Sequence, residues 1–128
     1  PNTMILDYLN STNQAAPELS KRAKDLLTKG YGRLIGYECP YDGNKVRNGF
    51  EWFGRADNAH EALTAYGLLQ FKDMAKVHEV DPKLIKRTQD FLMSRKDGKG
   101  GFLRSQVALD QFGGAPEHTT NAYIVWAL

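Results

Sequence analysis

Ala59-His60-Glu61-Ala62-Leu63-Thr64-Ala65-Tyr66-Gly67-Leu68-Leu69-Gln70-Phe71-Lys72-Asp73-Met74-Ala75 is the stretch on which the fold turns. At helical periodicity its Ala62, Leu63, Ala65, Tyr66, Leu68, Leu69, Phe71 and Met74 fall almost all round the cylinder, and a helix apolar on every side belongs inside a protein. The next segment, Pro82 to Lys96, is of another kind. Its Leu84, Ile85, Thr88, Phe91 and Leu92 share one stripe, with Asp81 as cap and Pro82 at the first helical position. Upstream, Pro17 to Tyr37 repeats the one-sided pattern, with Leu19, Ala23, Leu26, Leu27, Leu34 and Ile35 opposed to Lys21, Arg22, Lys24 and Asp25. Thr120 to Leu128 returns to the all-round type in Ala122, Tyr123, Ile124, Val125, Trp126 and Leu128, and Thr3 to Leu9 reads as the tail of another such helix. Five helices that alternate between buried and one-sided types, joined by Gly-rich loops, predict an all-α fold: a partial α/α toroid with inner helices walled in by outer ones.

A smaller signal repeats within this alternation. Gly49-Phe50 leads through a polar loop into His60-Glu61-Ala62-Leu63-Thr64-Ala65-Tyr66, and Gly101-Phe102 leads into His118-Thr119-Thr120-Asn121-Ala122-Tyr123. The offset of about 52 to 58 residues is longer than most solenoid periods and suits one helix pair per unit. The chain is already apolar and helix-like by Met4, and it stops at Trp126-Ala127-Leu128 without a glycine, asparagine or basic residue to end the helix. Residues 1–128 are therefore expected to be part of a domain that continues on both sides. Inner faces left open by a partial ring are expected to make the fragment self-associate.

With 128 residues, 41% of them hydrophobic and 25% charged, the chain suits one globular unit. Its 17 basic and 15 acidic residues are spread along the whole length, so no concentrated field for nucleic acid or anionic lipid arises. No apolar run approaches the roughly 20 residues of a membrane span. Cys39 is the lone cysteine, unable to form an internal disulfide or paired-cysteine metal spacing; between Glu38 and Pro40 it reads as a loop bystander.

Histidine beside glutamate, at His60-Glu61 and Glu117-His118, supplies residue types that can ligate metal or move protons. Asn58-Ala59-His60-Glu61 reads instead as a capping box, in which Glu61 returns to the helix-start amide, and His118 stands at a helix start as well. No metal and no cofactor are expected. Phe50-Glu51-Trp52-Phe53-Gly54 has aromatic faces that can stack on sugars or isoprenoids, but lacks the paired carboxylates of glycoside cleavage, and packing is the favoured reading. Nucleophile elbows and phosphate loops do not occur.

Five stretches together resemble the thioester-containing domain of the α2-macroglobulin and complement family: the opening Pro1-Asn2-Thr3-Met4-Ile5-Leu6-Asp7-Tyr8-Leu9, then Leu27 to Leu34, Gly49 to Gly54, Leu63 to Phe71, and Asp97-Gly98-Lys99-Gly100-Gly101-Phe102. The resemblance runs over nearly the whole chain and implies an α/α six-hairpin toroid over twice its length. In that family a Gly-Cys-Gly-Glu-Gln motif forms the thioester, and by resemblance it ends a few residues before Pro1; Cys39 is not its cysteine. The resemblance also places Asp110 where complement members carry the residue that selects the acceptor. Histidine there promotes transfer to hydroxyls, whereas Asp or Asn leaves direct acylation of amines, so Asp110 implies amine preference. The alternative for Asp110 is a loop cap.

The same resemblance implies a scaffold without turnover, belonging to an extracellular or periplasmic protease trap or surface-tagging factor whose partners are proteases or cell-surface targets. The Trp52-Phe53-Gly54 turn and Glu38-Cys39-Pro40 look closer to microbial macroglobulin-like members. Two other readings stay open, a toroidal enzyme of glycosidase or terpenoid cyclase type and a non-catalytic α-hairpin binding module.

Overall fold

Proline at the first helical position sacrifices no hydrogen bond, because the amide it lacks would find no partner in the first turn. Pro17 and Pro82 each open a helix in this way. A computed structural model describes residues 1–14, 16–41, 46–52, 59–105 and 115–128. Among the described residues the order of elements is α1 (Asn2–Ser11), α2 (Pro17–Ile35), β1 (Glu38–Tyr41), β2 (Val46–Phe50), α3 (Glu61–Met74), α4 (Pro82–Ser94) and α5 (Glu117–Ala127). The protein is mostly helical, as the periodicity predicts.

The one-sided helices bury narrow stripes. Helix α4 sinks Leu84, Thr88 and Leu92, one per turn, and α2 sinks Ala23 and Leu27. The predicted stripe of α2 is broader than the real one, because Leu19 and Leu26 point to solvent at 47% and 44% exposure. Helix α1 buries Leu6 and Leu9, and α5 buries Thr120, Ile124 and Ala127.

Helix α3 is the central strut. It packs against α4, α5 and β2, and buries Glu61, Thr64, Ala65, Leu68, Phe71 and Met74. Its two halves feed two cores. Phe71 and Met74 join Leu6, Leu27, Phe50 and Leu84 in the first, while Ala65 and Leu68 join Leu92, Phe102 and Ile124 in the second. Helix α4 also serves both, through Leu84 and Leu92, so the two repeat units share a wall.

Two expectations need correction. The inner helices are not buried all round: Tyr66 of α3 is 57% exposed, Val125 and Trp126 of α5 are 63% and 71% exposed, and Met4 and Tyr8 of α1 are exposed too. A helix is buried on only as many sides as it has neighbours, and periodicity does not count neighbours. Cys39, read as a loop residue, is a fully buried residue of β1. The antiparallel β1–β2 pair sets Glu38 opposite Phe50, and Tyr41 opposite Val46, with an irregularity between Glu38 and Pro40. Two strands alone are marginal in water. Here β2 lies against α3 and α4, and that tertiary support has no local periodic signal.

Candidate functional site

The repeated glycine-aromatic device proves to be a hydrogen-bonded latch near the head of α3 and of α5. Phe50 N–H donates to Thr64 Oγ1 at 2.8 Å, and Phe102 N–H donates to Asn121 Oδ1 at 3.2 Å. Thr64 and Asn121 hold the same place in the repeated Thr64-Ala65-Tyr66 and Asn121-Ala122-Tyr123, so the sequence repeat and the contact coincide. Each latch requires glycine before the aromatic residue. Gly49 adopts φ +65°, and a Cβ there would stand 2.6 Å from that of Ala59; a Cβ on Gly101 would stand 2.6 Å from Asn121 Nδ2.

In the second unit the turn itself is built by Asp97. Its Oδ1 accepts from Lys99 N–H at 2.7 Å and from Gly101 N–H at 2.9 Å, while Gly98 and Gly100 take φ +74° and +98°. Those two amide donors hold the Asp97 carboxyl below its ordinary pKa. Lys96 and Phe102 face each other across the turn.

The capping box predicted for Asn58 and Glu61 is overturned. Asn58 lies outside the described residues, and the cap of α3 is His60, whose Nδ1 accepts from Leu63 N–H at 3.2 Å. Glu61 looks the other way. It is 2% exposed, with Oε1 accepting from Arg95 Nε at 2.7 Å and Oε2 accepting from Ser105 N–H at 2.8 Å. A buried carboxylate is tolerated only when paired and fully hydrogen-bonded, and the guanidinium provides a stronger pairing than the helix-start amide.

A second buried acid follows the same logic. Glu38, 1% exposed, takes a forked contact from Arg87, with Nη2 at 2.8 Å from Oε2, and Arg87 Nη1 lies 3.5 Å from Asp81 Oδ2. The hydrogen bond to Glu38 raises the Arg87 pKa above its ordinary value. Both arginines belong to α4, Arg87 lying within the helix and Arg95 being its C-cap, so this helix clamps both units. Neither pair is visible in sequence, since the partners lie 49 and 34 positions apart. The available hint was a charged residue heading a helix otherwise apolar all round.

His118 lies in the first turn of α5 and is exposed. Among the described residues no group of three or more His, Cys, Asp or Glu could hold a metal ion. The aromatic cluster divides. Phe50 is buried against Phe71 with ring centroids 5.3 Å apart, whereas Trp52, 39% exposed, lines an apolar cavity of about 160 Å³ with Leu34, Tyr37, Tyr66 and Phe71. Phe53 and Gly54 lie outside the described residues, and so does Asp110. The residues flanking the Asp110 segment are described, and both are tied down: Ser105 to Glu61, and Ala115 through its carbonyl to Arg104 Nη2 at 3.2 Å.

The family model of the A-macroglobulin TED domain matches residues 1–128. The chain belongs to that family. Among curated proteins it is similar to "Alpha-2-macroglobulin-like protein 1" of Mus musculus, with 29% identity over 109 residues, covering 83% of this chain and 7% of that protein. It is similar also to "Ovostatin" of Gallus gallus, with 26% identity over 132 residues, covering 100% of this chain and 9% of that protein. The chain thus spans less than a tenth of the length of these relatives. The two latches and two buried ion pairs tie α3, α4 and α5 to the turns and strands beside them. None of them places a nucleophile beside a base.

Proposed function

We propose that this chain is scaffold from the thioester domain of an α2-macroglobulin-type protease trap, and that it carries no turnover chemistry of its own. The match of the TED domain over residues 1–128 is the observation that supports the reading. The thioester would be formed by a Gly-Cys-Gly-Glu-Gln motif ahead of Pro1 in a longer polypeptide, and the described helices would form part of its α/α toroid. A thioester is an activated acyl group; an amine or hydroxyl of the target attacks the carbonyl, the thiolate leaves, and the target becomes covalently tethered. The latches keep the inner helices in register, which suits a domain whose reactive bond must stay shielded until the trap is sprung.

Asp110 occupies the acceptor-selecting position in this reading. A carboxylate there has no imidazole to form an acyl intermediate, so amines are acylated directly and targets are joined through lysine amides. Proteases and cell-surface proteins are the partners, and the setting is extracellular or periplasmic. Intact-mass measurement of the longer protein after methylamine treatment tests the proposal. A gain of one amine with one newly titratable thiol is expected; an unchanged mass and thiol content overturns it. Equal uptake of labelled glycerol and methylamine overturns the role of Asp110.

A further inference from the structure

Glycine is a poor residue for the middle of a helix, because its backbone loses more freedom on folding than that of alanine. Gly67 stands there in α3, and packing does not demand it. A Cβ at Gly67 would lie 3.4 Å from Phe50 Cδ2 and 3.8 Å from Phe71 Cε2, ordinary van der Waals distances, whereas at Gly49 or Gly101 it would collide. What the missing side chain leaves is space. Gly67 lines the apolar cavity of about 160 Å³, together with the buried Phe50 and Phe71 and the partly exposed Tyr37, Trp52 and Tyr66. Apolar cavities of roughly that volume stay dry and accept one benzene-sized ring. Aromatic walls favour an aromatic guest, stacked or edge-on. Small-molecule sites add a few polar groups to such walls, and half-buried Gln70 supplies one, its side-chain amide having no hydrogen-bond partner among the described residues. Glu51, the acidic member of the lining, is buried and already engaged by the rest of the chain, so the accessible wall is apolar and aromatic.

We propose that this cavity is a binding site for a small neutral aromatic molecule with one hydrogen-bonding group, the class to which indole and p-cresol belong. The ring takes the space that Gly67 leaves beside Phe50 and Phe71, and Gln70 holds the polar substituent. Nothing in this site depends on thioester chemistry.

The test uses the full-length polypeptide that carries this chain, titrated with indole and with p-cresol by calorimetry and by ligand-observed NMR. A dissociation constant on the order of 0.1 mM is expected for a ligand of this size. Gly67→Ala puts a methyl group into the cavity and should weaken binding about tenfold without lowering the unfolding midpoint, since alanine suits the helix better. Trp52→Ala removes part of the wall and should weaken binding while leaving the buried cores intact. Absence of binding to the full-length polypeptide, as when another segment covers Trp52 and Tyr66, overturns the proposal. Binding that Gly67→Ala and Trp52→Ala leave unchanged places the ligand elsewhere and overturns it too. Tighter binding of phenyltrimethylammonium than of indole would make this a cation site at Glu51 and overturn the neutral class.

Discussion

Gly49 shows how much of the architecture rests on one missing carbon. Its positive φ and the closeness of Ala59 and Phe91, whose ring carbon would lie 2.8 Å from an added Cβ, act in the same direction. Gly49→Ala should therefore destabilise the protein by about 3 kcal/mol, seen as a lower urea midpoint at unchanged slope. Gly32, exposed within α2 with nothing within 4 Å of its would-be Cβ, should behave oppositely. Gly32→Ala should stabilise by up to about 1 kcal/mol in the same assay, because helical glycine carries a backbone-entropy penalty. Thr64 links the latch to the core through its hydroxyl. Thr64→Val keeps the shape but orphans the Phe50 amide, at a cost of about 1 to 3 kcal/mol. Sequence pattern marked Gly49-Phe50 and Gly101-Phe102 as repeated; it did not say that each pair ends in a hydrogen bond to the following helix.

Between elements, the decisive contacts are ionic. Arg87→Ala would leave Glu38 buried without its guanidinium, and breaking a buried pair from one side costs about 3 kcal/mol or more, readable by thermal or urea unfolding. The Asp97 turn offers a pH test. Its carboxyl is depressed in the folded protein, so its contribution is fully present above the pKa of the unfolded chain and is lost as pH falls through the folded value. The Gly101 amide resonance should accordingly titrate with a midpoint below the ordinary carboxylate range, and Asp97→Asn should abolish that titration. A midpoint at or above the ordinary range would contradict the two amide contacts. Helix ends were legible where a residue caps its own helix, as Asp81 does through Lys83 N–H at 2.9 Å. They were not legible where the cap comes from elsewhere: the last carbonyls of α5, Ala127 and Leu128, take their donor from Lys72 of α3 at 2.7 Å and 3.0 Å.

At the scale of the whole molecule, α1 and α5 carry exposed apolar side chains. Met4, Tyr8, Val125 and Trp126 are each more than half exposed, and surfaces of that kind drive association when nothing covers them. The isolated 128-residue chain is expected to sediment with a mass that rises with concentration, and Trp126→Glu should shift it toward the 14.4 kDa monomer. A monomeric mass at every concentration would show that this surface is tolerated by water. The same surface explains why the inner helices read as all-round apolar while being only partly covered here.

Helix content, the places of the five helices and the two glycine-aromatic pairs were determined by sequence, because helical periodicity and each such pair are written within a few neighbouring residues. The β1–β2 pair, the burial of Cys39 and the two acid–arginine clamps were decided only by tertiary structure. A buried carboxylate takes whichever donor the folded chain brings nearest, and Arg95 and Arg87 arrive from 34 and 49 positions away, beyond the reach of any local pattern.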